Sequence, residues 1–288
     1  DQLFSKQVSP ELGVNSVTVN GGKILNRGIE LDLKWKDSLG DFFYSVDGNF
    51  ATLENNVTYL NPNVSDGRIF GAKTHNTSYV TVFEKGYPIW YFRGYHVEGL
   101  DENGAPIFQD VDNSGAIDDN DRMYIGKPLP DFTYGLTLSL GYKGFDLTVF
   151  GNGAYGNNIL MAYNDKDINY LLKDVFDNCW TEENPNGKYA KPSPENGDKY
   201  TASDAMLFDG SYFRIKQVQI GYSLPSSLCK KLFVERLRVY ASMDNAMIFT
   251  SYPGLDPEIA SNAITGIGID FGTYPTTRKI VFGATLTF

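Results

Sequence analysis

The chain closes R-K-I-V-F-G-A-T-L-T-F, from Arg278 to Phe288. Ile280, Phe282, Ala284, Leu286 and Phe288 fall on one side of a strand, and Lys279, Val281, Gly283, Thr285 and Thr287 on the other, because successive strand side chains point to opposite faces. An apolar face ending on an aromatic residue, with no polar tail after it, suits a strand set between lipid and a polar lumen. Working outward, the same period of two returns. Ile29, Leu31, Leu33 and Trp35 alternate with Glu30, Asp32, Lys34 and Lys36. Phe42, Tyr44, Val46, Gly48 and Phe50 alternate with Phe43, Ser45, Asp47 and Asn49, and Tyr134, Leu136, Leu138, Leu140 and Tyr142 with Gly135, Thr137, Ser139 and Gly141. Phe145, Leu147 and Val149 resume the pattern after a Lys143-Gly144 turn, and Leu237, Val239, Ala241 and Met243 repeat it later. Between Ser211 and Ser223 the parity changes from Phe213 and Ile215 to Val218, Ile220 and Tyr222, which predicts a bulge near Lys216, since one extra residue flips everything after it.

A half-buried antiparallel sheet in a soluble sandwich has the same period. The aromatics separate the two readings. Trp35, Tyr44, Phe50, Tyr134, Tyr142, Phe145, Tyr222 and Phe288 lie near strand ends on the apolar face, where a membrane barrel carries its interfacial girdles. The fold class expected is therefore all-β, an antiparallel transmembrane β-barrel with long extracellular loops. Strands are predicted over roughly residues 27–36, 41–53, 131–142, 144–154, 210–223, 235–249 and 278–288. The links at Asp37–Asp41 and Lys143–Gly144 are tight and Leu224–Glu235 is modest, whereas Asn55–Pro130, Ala154–Asp209 and Ser251–Thr277 are long. Short turns on one side and long loops on the other match an outer-membrane protein. Seven strands do not close a bacterial barrel of even strand number, so residues 1–288 are read as the C-terminal part of a larger one.

Composition is compatible with this. The 288 residues carry a formal net charge of −10, with 42% hydrophobic and 14% aromatic residues, at a mean hydropathy of −0.29. No apolar run approaches the ~20 residues of a membrane helix, and the acidic balance lacks the basic footprint of nucleic-acid binding. No signal peptide opens at Asp1, so the start is read as a processed or truncated end. Enzymatic motifs are missing: His75 and His96 are the only histidines, and no P-loop, Gly-x-Ser-x-Gly or dinucleotide fingerprint occurs. Cys179 falls in a long loop and Cys229 in a short link, on opposite sides of an apolar band ~25 Å tall, so no disulfide is expected between them.

Several segments, in order along nearly the whole chain, resemble the C-terminal part of the SusC/RagA group of TonB-dependent outer-membrane transporters. They are Gly21–Leu31 (GGKILNRGIEL), Asp110–Arg122 (DVDNSGAIDDNDR), Pro130–Leu136 (PDFTYGL), Tyr142–Leu147 (YKGFDL), Tyr212–Lys216 (YFRIK), Thr250–Glu258 (TSYPGLDPE) and Tyr274–Phe288. The resemblance implies a barrel of about 22 strands with an N-terminal plug, located in the bacterial outer membrane. It implies partners as well: a SusD-like surface lipoprotein that lids the barrel, TonB engaged through the N-terminal part, and oligosaccharide or peptide cargo. The Asp1-Gln2-Leu3-Phe4 stretch reads as the outer end of a further strand.

Two loop features carry chemistry. Asp110, Asp112, Ser114, Asp118 and Asp121 stand at positions 1, 3, 5, 9 and 12 of a calcium loop, with Gly115 at the sharp turn and the Ala116 carbonyl at position 7, the oxygen-donor spacing that suits Ca2+. Asp121 replaces the usual Glu, which weakens bidentate reach, and no helical pattern flanks the loop. A structural ion is expected; the plainer reading is a solvated Asp/Asn/Gly turn. Trp90, Tyr91, Phe92 and Tyr95 form an aromatic cluster that either contacts substrate or the lid, or packs the loop itself. Ile168, Leu171, Leu172, Val175, Phe176 and Cys179 suit one face of a helix. The alternative function is a surface-exposed adhesive β-sandwich, whose two apolar faces would bury each other.

Overall fold

In the computed structural model, which describes residues 2–9, 11, 13, 15–65, 67–74, 78–163, 172–193, 197–258 and 264–288, the alternating segments form one sheet. Its strands are β1 (Glu30–Leu39), β2 (Phe42–Thr52), β3 (Phe132–Tyr142), β4 (Phe145–Tyr155), β5 (Tyr212–Ser223), β6 (Arg236–Thr250) and β7 (Lys279–Thr287). They pair in chain order, every pair antiparallel. Most run 9 to 12 residues, and β6 runs 15, at or above the ~9–11 residues a tilted strand needs to cross a bilayer. At Lys143-Gly144 both residues have positive φ, 47° and 89°, the two-residue turn whose twist matches a hairpin. Lys216 is bulged out: Ile215 faces Gly151 and Gln217 faces Phe150. Across β6 the matching irregularity pairs Ile215 with Met247 and Gln217 with Asp244.

Register then aligns the apolar parity of every strand. Trp35, Val46, Leu138, Val149, Val218, Met243 and Ile280 form one row across all seven strands. Toward the short-turn end Leu39, Phe42, Tyr142, Phe145 and Tyr222 form an aromatic row; toward the long-loop end Leu31, Phe50 and Tyr134 begin another, which Phe213 and Phe249 continue. Phe42 and Phe50 are separated by roughly 27 Å along the strand, comparable with the ~25 Å apolar band of an outer-membrane wall.

Nothing among the described residues covers this face. Leu33 is 64% exposed, Trp35 62% and Phe282 79%. A sandwich buries such a face against a second sheet; here the apolar rows point outward together, as they do in a barrel wall. The opposite face is polar for much of its area. Lys34 pairs with Asp47 at 2.7 Å. Arg238 grips Asp146 with two bonds of 3.0 and 2.5 Å, across Gly221, where any side chain would collide with both groups.

The first wall strand differs from expectation. The strand expected at 27–36 lies at Glu30–Leu39, and a separate strand, Ser16–Arg27, precedes it. Ser16–Arg27 pairs with Glu54–Leu60, and Arg27 opposite Glu54 keeps the register of Glu30 opposite Ala51. The first hairpin therefore continues beyond the seven-stranded sheet. The interruption at Gly28-Ile29 follows from a close approach of Thr52: its N–H donates to Ile29 O at 2.9 Å, its hydroxyl accepts Ile29 N–H at 2.8 Å, and its carbonyl occupies the space a Gly28 side chain would need. Gln2–Gln7 adds a third strand to this extension, in keeping with the strand expected at the chain's first residues.

The long links fold instead of trailing. Arg68–Phe70, Thr81–Glu84, Tyr91–Gly94 and Met123–Gly126 make a small sheet, and Asn158–Met161 lies between Leu207–Asp209 and Ile269–Asp270 in another. Residues from three links share a core with Val80, Phe92, Ile159, Leu160, Met206 and Ile269. The helix expected in the second link is short, Lys173–Asn178. Leu172, Val175 and Cys179 pack with Tyr189 and Phe208, but Phe176 is 67% exposed, because six helical residues cannot align the whole predicted stripe; Ile168 and Leu171 lie outside the described residues. Cys179 and Cys229 are both free and buried.

Candidate functional site

The acidic loop folds by satisfying its own backbone. Asn113 and Gly115 take positive φ, 56° and 83°, and the tight path aims successive N–H groups at carboxylates. Asp110 accepts from Ser114 N at 3.1 Å and Gly115 N at 2.8 Å, and Asp112 from Ser114 N at 3.1 Å. Asp121 is fully buried and accepts from Val111 N at 2.8 Å and Asp118 N at 2.7 Å. The Asp118 N–H holds the Asp121 carboxyl below its ordinary range, against the opposing effect of burial and with help from Val111 N–H.

Oxygens of Asp110, Asp112 and Asp121 come within 4.8 Å of one another. Beside them the Ser114 hydroxyl donates to the Ala116 carbonyl at 3.0 Å. Asp118 does not join the convergent group: its carboxylate caps the short 3-10 turn Asp119–Asp121, accepting Asn120 N–H at 2.7 Å. Three carboxylate oxygens gathered this closely repel one another, and hard divalent cations that bind through oxygen relieve that repulsion. The donor set fits such an ion. The loop is anchored by Arg93 donating to Asp119 O at 2.8 Å and Lys199 to Ile117 O at 2.8 Å, while Arg122 reaches Tyr79 O at 2.7 Å.

The four loop aromatics are interior residues, 0–3% exposed. Trp90 packs with Phe83, Val57 and Leu60. Phe92 belongs to the core shared by the links. Tyr91 stacks on Tyr87 with centroids 4.6 Å apart and donates its hydroxyl to Glu84 at 2.6 Å; burial and that carboxylate raise its pKa. Tyr95 lies under the Arg122 guanidinium at 4.8 Å. Their rings build the scaffold that holds the acidic loop, and little of their area faces solvent.

A second polar centre joins two of the segments named above, Tyr212–Lys216 and Thr250–Glu258, whose contact only the fold reveals. Arg214 of β5 and Asp256 of the last long link are both buried and form an ion pair. Arg214 also donates to Thr276 Oγ1 at 2.6 Å and meets Glu258 at 3.0 Å, and Lys216 binds both Glu258 oxygens at 2.6 and 2.7 Å. Burial pushes the Asp256 carboxyl up, but the Thr276 hydroxyl, the Glu258 and Thr276 N–H groups and Arg214 hold it below its ordinary range. The parity of β5 puts Arg214 opposite to outward Phe213 and Ile215, so the link folds against the polar face. Nearby, Asp270 accepts from Tyr163 at 2.6 Å and Tyr252 at 2.8 Å, joining two long links; burial and this carboxylate raise Tyr163 to about 12.

No protein-family model matches the chain. It is 30% identical, over an alignment of 322 residues, to the TonB-dependent receptor P3 of Formosa agariphila, covering all of this chain and 31% of that protein. It is 28% identical over 305 residues to the TonB-dependent receptor SusC of Bacteroides thetaiotaomicron, again covering the whole chain and 29% of the relative. The chain thus spans about a third of the length of these relatives. Among solved structures, the RagAB peptide transporter superposes with a TM-score of 0.78 at 24% identity, covering 99% of this chain and 32% of that one. The RagAB peptide importer in its open-open state gives 0.77. At that identity the likeness speaks for the fold.

Proposed function

Starting from a chain homologous from end to end to part of the TonB-dependent receptors, SusC among them, we propose that residues 1–288 form the C-terminal part of the barrel of an outer-membrane nutrient importer. The observation that carries this is the continuous apolar face of seven strands, from Trp35 to Ile280, which nothing among the described residues covers and which a polar face backs. Such a wall needs lipid outside and a hydrated passage inside. The long links lie outside the cell, the short turns face the periplasm, and oligosaccharides or peptides pass along the polar face without covalent chemistry. The remaining wall, the plug and the segment read by TonB belong to the rest of the receptor, and a SusD-like surface lipoprotein lids the passage.

In the same reading, Asp110, Asp112 and Asp121 hold a calcium ion, with Ser114 and the Ala116 carbonyl beside it and Asp118 capping the turn. Its role is structural: it fixes the acidic loop against Arg93 and Lys199. The aromatic cluster Trp90, Tyr91, Phe92 and Tyr95 shapes this outer structure from within.

The test is purification from native membranes in mild detergent, with mass spectrometry of everything that travels with the chain. A plug-bearing receptor and a surface lipoprotein in one assembly are expected. A chain that is monomeric, alone and soluble without detergent would overturn the transport reading.

A further inference from the structure

Two features adjoin at the short-turn end of the wall, on its outward side and in the link that follows. One is a shallow, open depression in the outward face, lined by Ile220, Tyr222, Val239, Ala241, Phe282 and Ala284. It exists because two rows dip to alanine: Ala241 sits between Ile220 and Phe282, and Ala284 lies beside Val239. The other is the link Leu224–Glu235. Its helix, Ser226–Lys231, turns Cys229 inward, and Val234 is buried after it. Leu228, Leu232 and Phe233 are left exposed, Phe233 at 93%, beside Lys230 and Lys231 in the last helical turn.

Register connects the two. The row Tyr142, Phe145, Tyr222, Val239 and Ala284 runs from the Lys143-Gly144 turn into the depression, and the Lys143 ammonium lies 5.3 Å from the Tyr142 ring. Leu224 N–H donates to Leu237 O at 2.9 Å, tying the link to a strand that lines the depression. Lysines set among exposed leucine and phenylalanine, in the link that follows Tyr222 of the aromatic row, have the makeup of a surface that sits in an anionic bilayer interface.

We propose that this corner binds one phospholipid with an anionic headgroup from the inner leaflet. An acyl chain lies in the depression, and the phosphate is held by Lys143, Lys230 and Lys231, with Leu228, Leu232 and Phe233 set into the interface around it. Glu235 is the one carboxylate in the link, so the corner is basic on a chain of net charge −10. The inference rests on the wall spanning the outer membrane with its short turns toward the periplasm.

The intact transporter, purified in mild detergent, is offered phosphatidylglycerol or phosphatidylcholine with identical acyl chains, and retained lipid is counted by native mass spectrometry. Phosphatidylglycerol should be preferred by about tenfold or more, since each lysine near a membrane surface favours an anionic lipid about fivefold. The preference should vanish in the double variant Lys230→Glu, Lys231→Glu, and Ala284→Leu should reduce retention of both lipids. Equal retention of the two lipids, or a preference that neither variant alters, overturns the proposal. If the double variant does not assemble, hydrogen exchange of residues 224–235 in wild-type protein decides: protection in phosphatidylglycerol nanodiscs alone supports the site, and equal exchange in both lipids overturns it. Protection that instead requires a co-purifying acidic protein also overturns it. A heat-modifiable barrel that needs detergent yet shows no lipid preference sinks the lipid site only, whereas a protein soluble without detergent and free of lipid sinks the transport reading beneath it.

Discussion

Asp121 concentrates the chemistry of the acidic loop in one carboxylate. It is buried, it accepts two backbone N–H groups, and it faces Asp110 and Asp112. Its pKa is depressed below the ordinary 3.8, so its contribution to stability is complete above that value and is lost as pH falls through the lower, folded-state one. Asp121→Asn keeps the shape but removes the charge, and it should abolish any calcium-dependent rise in melting temperature. In the unsubstituted protein a free calcium concentration 100-fold above Kd should add about 2.7 kcal/mol, readable by calorimetry with and without chelator. Asp256 presents a different case. Its partner Arg214 is buried, and removing one member of a buried pair costs about 3–5 kcal/mol; Glu258, 3.0 Å from the same guanidinium, should keep Asp256→Ala near the low end. Limited proteolysis should then cut near residues 251–258 in the variant and spare the parent. The acidic loop could be read from spacing, because its donors lie within 12 residues of one another. The Arg214–Asp256 pair could not: both residues lie in segments that carry the resemblance, but 42 residues separate the partners and nothing in either segment points to the other.

At the scale of strands, all seven wall elements were legible because each carries a face dominated by aliphatic and aromatic residues, with small ones such as Gly48, Ala241 and Ala284 among them. Even the irregularity at Lys216 showed itself, since a change of parity within one strand has few other causes. The extension Ser16–Arg27 was not legible. Its alternating valines at 17 and 19 give way to Gly21-Gly22 and Lys23, and what defines it is pairing with Glu54–Leu60, a long-range fact. The four aromatics at 90–95 were ambiguous for a similar reason: a ring that binds a ligand and a ring that fills a core have the same composition, and only the folded links reveal which side of the chain is inside. The assignment of faces can be tested on β4, where Thr148 and Val149 point in opposite directions. Val149→Arg places a charge at mid-height on the lipid side, costing about 2–4 kcal/mol. Thr148→Arg places it on the polar face, where Asp146 and Arg238 already stand. Heat-modifiable gel mobility of the membrane-inserted receptor should fall sharply for the first variant and change little for the second; equal behaviour would mean the faces have been assigned the wrong way round.

For the molecule as a whole, the rows that run across the sheet stop at β1 on one side and β7 on the other, and within the seven-stranded sheet both strands have an unpaired edge. Exposed backbone donors and acceptors cannot remain unsatisfied in hydrocarbon, and in water such edges recruit other chains. The outward face adds a second penalty, because an apolar surface extending from Trp35 to Phe282 far exceeds the patches that soluble monomers tolerate. In the proposed barrel, stability of this chain depends on closure of the wall, and it should appear only when further strands are supplied. Produced alone and refolded without detergent, residues 1–288 should aggregate. Produced together with the N-terminal two thirds of a receptor of the relatives' length, the same residues should enter a barrel that migrates anomalously until boiled and that protects β1 and β7 from hydrogen exchange as well as it protects β3 and β4. Stable, monomeric and exchange-protected behaviour of the isolated chain in plain buffer would mean that some other surface covers the apolar rows, and the lipid-facing assignment would fall with it.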